Sequence, residues 1–216
     1  MTVLAKICGL RTAETIAAAV AGRARYVGFV AYPPSPRHLA FHEAEALAAE
    51  VPAHLLRVGL FVDPDDRLLG EWTEGGALDM LQLHGIETAA RVREIRESFE
   101  LPVMKAVRVA TRDDVRHAID VYAPVADRLL FDAAPPSGDS SALPGGNGLP
   151  FDWRLLDGVE VPVPWMLSGG LTADNVAAAV RATGAKVVDV SSGVESSRGV
   201  KSPELIRRFL AAVAAL

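Results

Sequence analysis

The chain has 216 residues, of which 50% are hydrophobic, and it carries a formal net charge of −5 and one cysteine. This composition excludes a disordered chain and an intramolecular disulfide, and the lack of a basic block argues against a nucleic-acid partner. No apolar run reaches the ~18 residues that a membrane span needs, and the first residues do not form a signal-peptide pattern. We therefore expect a cytoplasmic protein with no membrane partner.

Eight short apolar runs alternate with helical stretches along the chain. The runs are VLAKIC, YVGFVAY, LLRVGLFV, LDMLQLH, PVMKAVRV, DRLLFDA, PWMLSGG and KVVDVSSG. Most are continuously apolar, which is typical of strands that are buried on both faces of a parallel sheet. The alternation predicts an α/β fold, a (β/α)8 TIM barrel that forms a single domain over residues 1–216. A doubly wound open sheet is the alternative.

Six stretches between these runs show the pattern of helices. They are TAETIAAAVAG, HEAEALAAEV, IETAARVREIRESF, TRDDVRHAIDVY, TADNVAAAVRATG and SPELIRRFLAAVAAL. Thr12 is expected to cap the first helix and Gly22 to end it. In the last helix, Ser202 is the expected cap and Pro203 takes the first helical position, where its missing N–H costs nothing.

The connection after the sixth run differs from the others. This loop, at about 133–150, is rich in Pro, Gly and Ser and has no apolar period. Loops of this length inside compact domains are often active-site lids, although a surface insertion has the same composition. The sequence FDWRLLDG, which follows the loop, is expected to form a shortened helix.

Polar residues stand where several of the predicted strands end. They are Cys8, Arg37, Gln82, His84, Asp132 and Asp189. In a barrel of this kind the active site lies at the C-terminal ends of the strands, so these side chains are expected to converge on one face. Each also has a purely structural explanation, such as core packing for Cys8 or a loop cap for Asp132.

Two loops rich in glycine and serine follow the last two strands. SGGLTADN contains Gly169 and Gly170, and SSGVESSRG contains Ser191 and Ser192. Exposed backbone amides and a helix N-terminus bind a phosphate dianion well, and glycine lets the anion approach closely. Because the loops after strands seven and eight form the common phosphate site of such barrels, we expect a phosphorylated small-molecule ligand here.

A series of short motifs runs through nearly the whole chain. The motifs include KICGL, VGFVAYPPSPR, LDMLQLHG, LLFDA, SGGLTADNV and VDVSSGVESSRGVKSPELI. In this order they resemble the phosphoribosylanthranilate isomerases, the barrel enzymes of tryptophan biosynthesis. The resemblance implies an isomerase of the intramolecular oxidoreductase type. Its reaction is the Amadori rearrangement of N-(5′-phosphoribosyl)anthranilate to 1-(2-carboxyphenylamino)-1-deoxyribulose 5-phosphate, a phosphosugar reaction for which neither a metal nor an organic cofactor is implied.

The resemblance also implies roles for individual residues. Cys8 corresponds to the general base and Asp132 to the general acid, while Arg37 holds the anthranilate carboxylate. His84 and Asp189 are expected to lie near the substrate. The phosphate is expected at the loops that contain Gly169, Gly170, Ser191 and Ser192.

Two details of the sequence bear on this chemistry. Lys6 lies two residues before Cys8, on the same face of a strand, and is a candidate for stabilising its thiolate. Near the end of the long loop, Asn147 and Leu149 stand where the family typically has Thr and Lys. Another phosphosugar isomerase or epimerase barrel is one alternative, and a non-catalytic phosphate-binding barrel is a second. The combination of Cys8, Asp132 and Arg37 argues against the second, because a binding protein needs neither acid nor base.

Overall fold

Eight parallel strands close into a barrel in the computed structural model, which describes residues 2–134 and 152–216. The strands are β1 (Leu4–Cys8), β2 (Tyr26–Val30), β3 (Leu56–Phe61), β4 (Met80–Leu83), β5 (Val103–Val109), β6 (Arg128–Ala133), β7 (Trp165–Leu167) and β8 (Val187–Val190). They are hydrogen-bonded in chain order, and β8 pairs with β1 to complete the circle. The predicted (β/α)8 barrel is confirmed, and the alternative of an open sheet is wrong.

Seven α-helices lie between or after the strands in the described part of the chain. They are α1 (Ala13–Ala21), α2 (Phe41–Ala48), α3 (Asp66–Thr73), α4 (Ala89–Phe99), α5 (Arg112–Tyr122), α6 (Val176–Thr183) and α7 (Pro203–Ala214). The side chains of Thr12 and Ser202 accept backbone hydrogen bonds at the starts of α1 and α7, as predicted. None of the described helices is long and apolar enough to cross a membrane.

The sequence analysis does not predict α3. This helix buries Leu69 and Trp72, which lie three residues apart on one face, and the Asp65 side chain caps its start by accepting from the Leu68 N–H. The Trp72 ring packs edge-on against Phe61 of β3, with the ring centroids 5.6 Å apart. Contact with the barrel therefore adds to a cap and an apolar face that are already present in the sequence.

The connections after β6 and β8 depart from the simple strand–helix alternation. The shortened helix expected after β6 is a 3-10 helix, Trp153–Leu156. Of the long loop expected at about 133–150, only residues 133 and 134 belong to the described part of the chain, so the expectation of a lid lies outside it. After β8, a 3-10 turn leads into an antiparallel hairpin of β9 (Glu195–Ser197) and β10 (Val200–Lys201). The sequence analysis does not predict this hairpin.

The barrel interior changes character along its axis. An apolar cluster from seven of the eight strands fills one part: Tyr26, Val58, Met80, Met104, Ala106, Leu130, Met166 and Val187. A larger apolar cluster joins the outer faces of the strands to the helices. Toward the carboxyl ends of the strands stand buried polar side chains: Lys6, Gln82, Asp132 and Asp189. Buried polar groups are costly unless they are paired, so this polar layer is where a functional site is expected.

Candidate active site

Four of the predicted site residues lie buried at the carboxyl ends of the strands. Cys8 ends β1, Asp132 is the penultimate residue of β6, and Asp189 lies in β8. His84 directly follows β4. Their positions at the strand ends place all four at the same end of the barrel. Each is at most 5% exposed, so all four are shielded from bulk water.

The side chains of Lys6 and Asp189 form a buried ion pair beside Cys8. The two residues are register partners on neighbouring strands, and Lys6 Nζ lies 2.9 Å from Asp189 Oδ1. Burial alone lowers the pKa of Lys6, but the charge of Asp189 and the interaction with Cys8 outweigh it and raise that pKa. The Lys6 ammonium therefore stays charged beside the sulfur, in the place that the sequence predicts for it.

The protonation of Cys8 is set by opposing effects. Burial raises the pKa of the thiol, and the neighbouring ammonium of Lys6 offsets this only in part. Gly28 of β2 leaves the space for this arrangement, because a Cβ at that position would lie 3.0 Å from Cys8 Sγ and 3.3 Å from Lys6 Nζ. The sulfur is held close to a fixed positive charge but remains largely a thiol near neutral pH.

Asp132 belongs to a chain of polar contacts that crosses to β4. Its Oδ1 accepts a hydrogen bond from the Ala133 N–H at 2.9 Å, and its Oδ2 lies 3.4 Å from His84 Nε2. The Gln82 Nε2 lies 3.2 Å from His84 Nδ1. With the Gln82 amide nitrogen as the donor, Nδ1 accepts and a neutral His84 ring carries its proton on Nε2, facing Asp132.

This chain of contacts is not closed. Gln82 Oε1 and His84 Nε2 are buried, and neither has a hydrogen-bond partner among the described residues, since the contact with Asp132 is close but poorly aligned. Catalytic hydrogen bonds are often long in ligand-free enzymes and shorten when substrate binds. These two buried polar atoms lie at the carboxyl end of the barrel, where a polar ligand would supply the hydrogen bonds that they lack.

The guanidinium group of Arg37 is already paired with a carboxylate of the protein. It is 4% exposed, and it forms a two-point ion pair with Glu195, in which Nε is 2.7 Å from Oε1 and Nη2 is 3.0 Å from Oε2. The sequence analysis predicts that Arg37 holds a substrate carboxylate. With the Nε–Nη2 edge engaged by Glu195, a second carboxylate would have to meet the edge that includes Nη1.

Glu195 and Lys201 are site residues that the sequence analysis misses. Lys201 Nζ lies 2.6 Å from Glu195 Oε1 and donates to the carbonyl of Ser191 at 2.8 Å. Both charged side chains are almost completely buried. The signal available in the sequence is the pair of opposite charges on either side of the SSRG turn, which is consistent with a short hairpin.

The two loops expected to bind phosphate lie side by side after β7 and β8. Gly169 and Gly170 both have positive φ values, +86° and +62°, in the left-handed region that favours glycine. The Ser191 hydroxyl donates to the carbonyl of Cys8 at 3.2 Å, and Ser192 begins the 3-10 turn that follows. The two loops touch, because a Cβ on Gly193 would meet the backbone carbonyl of Leu171, so the residues assigned to the phosphate lie on adjoining loops.

A second buried ion pair supports the loop that carries His84. Lys105 of β5 donates to Glu87 Oε2 at 2.6 Å and to the carbonyl of Gly85 at 2.8 Å. Burial lowers the pKa of Lys105, and the charge of Glu87 opposes this. These contacts fix residues 84–87 against β5, and the sequence analysis does not identify them because neither residue ends a strand. Among the described residues, no group of three or more His, Cys, Asp or Glu is arranged to hold a metal ion.

Comparison with known proteins identifies the family. The family model for N-(5′-phosphoribosyl)anthranilate (PRA) isomerase matches residues 5–212. The N-(5′-phosphoribosyl)anthranilate isomerase of Rhodopseudomonas palustris is 54% identical, over 100% of this chain and 97% of the relative. That of Paracoccus denitrificans is 55% identical, over 98% and 97%. This chain belongs to the PRA isomerase family.

Solved structures of PRA isomerases share the fold described above. A crystal structure of the enzyme from Thermotoga maritima matches with a TM-score of 0.87 and 32% identity, and each chain is covered completely. A PRA isomerase structure in complex with reduced 1-(o-carboxyphenylamino)-1-deoxyribulose 5-phosphate matches with a TM-score of 0.83 and 31% identity, again over both whole chains. The predicted family, fold and reaction class agree with these comparisons. The roles of individual side chains stay predictions, because similarity over a whole chain does not report what one residue does.

Proposed function

We infer that the protein catalyses the Amadori rearrangement of N-(5′-phosphoribosyl)anthranilate to 1-(2-carboxyphenylamino)-1-deoxyribulose 5-phosphate. The observation that carries this function, beyond family membership, is that a thiol and a carboxyl group lie buried at one end of the barrel on strands that are not neighbours. Cys8 is on β1 and Asp132 on β6. This arrangement suits a reaction that adds a proton at one atom of the substrate and removes a proton from another.

The first step is ring opening, for which Asp132 acts as the general acid. The protonated carboxyl group donates its proton to the ring oxygen of the ribose. The bond between C1′ and this oxygen breaks, and the nitrogen lone pair forms a C1′=N bond. After the transfer, the carboxylate of Asp132 faces His84 Nε2 at 3.4 Å, so the ring N–H can stabilise the new charge.

The second step removes the proton from C2′, for which Cys8 acts as the general base. Its thiolate takes this proton, the C–H electron pair forms a C1′=C2′ bond, and the C1′=N pair returns to nitrogen. The resulting enolamine gains a proton at C1′ and loses the proton of its C2′ hydroxyl, which gives the ketose. The Lys6 ammonium, held by Asp189, stabilises the thiolate while it forms.

The remaining site residues bind the two negatively charged ends of the substrate. Arg37 contacts the anthranilate carboxylate, because a guanidinium matches the planar geometry of a carboxylate. The backbone amides near Gly169, Gly170, Ser191 and Ser192 bind the phosphate. A related structure holds a reduced phosphorylated product of this kind, which supports a phosphosugar ligand here. A cytoplasmic location remains a prediction.

Turnover of the substrate by the purified chain tests this function. N-(5′-phosphoribosyl)anthranilate is fluorescent, so isomerisation is followed as a loss of fluorescence under conditions in which spontaneous hydrolysis is subtracted. We expect turnover, with a product that borohydride reduces at C2′. If the substrate is lost only at the rate of hydrolysis and free anthranilate accumulates in place of the ketose, the proposed function is wrong.

A further inference from the structure

Glu195 connects parts of the site that lie far apart in the sequence. We propose that Glu195 is a positioning residue, which holds Arg37 in the orientation that recognises the substrate carboxylate and links it to the loop expected to bind the phosphate. This proposal rests on the proposed function, in which Arg37 contacts that carboxylate. No part of the reaction requires Glu195 to touch the substrate.

The carboxylate of Glu195 is fully engaged by neighbouring donors. Oε1 receives Arg37 Nε at 2.7 Å and Lys201 Nζ at 2.6 Å, and Oε2 receives Arg37 Nη2 and the Gly199 N–H, each at 3.0 Å. Burial alone raises the pKa of Glu195, but the hydrogen bonds from Arg37 and the charge of Lys201 outweigh this and lower the pKa to about 2. The carboxylate is therefore ionised at every pH at which the enzyme would work.

Two parallel hydrogen bonds to one edge of a guanidinium fix both its position and its plane. An arginine that is free to rotate would lose side-chain entropy when it bound a ligand, and a fixed one loses less. The aliphatic part of Arg37 is held as well, because it packs over Gly9, where a Cβ would lie 2.9 Å from Arg37 Cδ. Arg37 is thus oriented before the substrate arrives.

Lys201 and Ser191 connect the carboxylate of Glu195 to the loop after β8 and to the end of β1. Lys201, which shares Oε1 of Glu195, also donates to the carbonyl oxygen of Ser191 at 2.8 Å and lies 3.0 Å from its hydroxyl. That hydroxyl in turn contacts the carbonyl of Cys8 at 3.2 Å. One continuous set of contacts therefore runs from Arg37 to the end of β1.

The test compares two substrates in the Glu195→Gln variant. One is N-(5′-phosphoribosyl)anthranilate, and the other is N-(5′-phosphoribosyl)aniline, which lacks the carboxylate. The quantity measured is the ratio of their kcat/KM values, which reports how well the carboxylate is recognised. We expect the variant to lower this ratio by about tenfold to a hundredfold, the usual range for a hydrogen bond to a charged group, mainly through the KM of the anthranilate substrate.

A double-mutant cycle shows whether Glu195 acts through Arg37. In an Arg37→Ala background, Glu195→Gln is expected to change the ratio by no more than about twofold, because the residue that it positions is already absent. Equal losses for both substrates, or full additivity with Arg37→Ala, would show that Glu195 only supports the fold. If the wild-type protein turns over neither substrate, the proposed function fails first.

The chain offers a matched control at the other end of the barrel. Arg57 and Asp79 form a similar two-point ion pair, with both distances 2.8 Å, where β3 and β4 begin. Asp79→Asn should lower thermal stability and leave the substrate ratio unchanged. If Glu195→Gln does not fold, Glu195→Asp, which keeps the charge but withdraws it, is expected to lower the ratio in the same direction.

Discussion

Cys8 combines two properties that oppose each other in a general base. Burial raises the pKa of the thiol, which makes its thiolate a stronger base but leaves less of it ionised near neutral pH. Lys6 limits this cost, since its ammonium lies beside the sulfur and is itself fixed by Asp189. In the proposed reaction, the balance between burial and this charge sets how much thiolate is available to remove the proton of C2′.

The protonation of Cys8 is directly measurable, because it is the only cysteine in the chain. We expect the absorbance of the thiolate, followed from pH 6 to 11 in the ligand-free protein, to report a pKa above the usual ~8.5 of cysteine. A thiol pKa at or below the usual value would contradict this description of Cys8.

The carboxylate of the substrate is expected to depend on Arg37. Arg37→Ala should weaken transition-state binding by about 2–3 kcal/mol, because a charged hydrogen bond is left unmade. The effect is expected in KM more than in kcat, since Arg37 contacts a part of the substrate that does not react. An unchanged kcat/KM for N-(5′-phosphoribosyl)anthranilate would show that the carboxylate binds elsewhere.

Secondary structure was predictable where the pattern of apolar residues along the chain matches the burial that the fold imposes. The eight apolar runs predict the eight strands because strands buried on both faces need continuous apolar sequence. The helix α3 was missed although its signals, the Asp65 cap and the apolar pair Leu69 and Trp72, are readable in the sequence, because a helix of eight residues shows only two turns of its pattern. The hairpin of β9 and β10 was hidden because strands of three and two residues show no measurable period.

The two loops after β7 and β8 are expected to bind phosphate through their backbone. Inorganic phosphate should therefore inhibit competitively, and Gly170→Ala should weaken this inhibition about tenfold, because alanine is strained at a φ of +62° and shifts the amides. Gly184→Ala is the matched control. Gly184 also has a positive φ, +68°, but it ends α6 at the opposite end of the barrel and has open space around it.

Crystals of the protein with phosphate or product provide the second test of these loops. We expect the phosphate against the amides near Gly169, Gly170, Ser191 and Ser192. A phosphate on another face of the barrel would overturn the assignment. Equal weakening of phosphate inhibition by the Gly170 and Gly184 variants would do the same, since it would reflect general strain.

At the scale of the whole molecule, closure of the barrel is what assembles the site. β1 and β6 are separated by two strands in one direction around the barrel and four in the other, so Cys8 and Asp132 can stand on different sides of a substrate. Which residues end the strands was readable from the sequence. How those residues pair was not, because the contacts of Arg37 with Glu195 and of His84 with Asp132 join segments more than forty residues apart and depend on register and loop path.

The account depends most on the assignment of Cys8 as the base, and kcat of the Cys8→Ser variant tests it most directly. The substitution is nearly isosteric, so fold and KM should be retained, and thermal melting provides the check on folding. A hydroxyl is a much poorer base than a thiol near neutral pH, and general acid–base groups contribute about 10²–10⁴-fold to rate. We therefore predict that kcat for N-(5′-phosphoribosyl)anthranilate falls at least about 100-fold. A folded Cys8→Ser protein with a kcat near that of the wild type would contradict the account and leave Cys8 as a residue of the core.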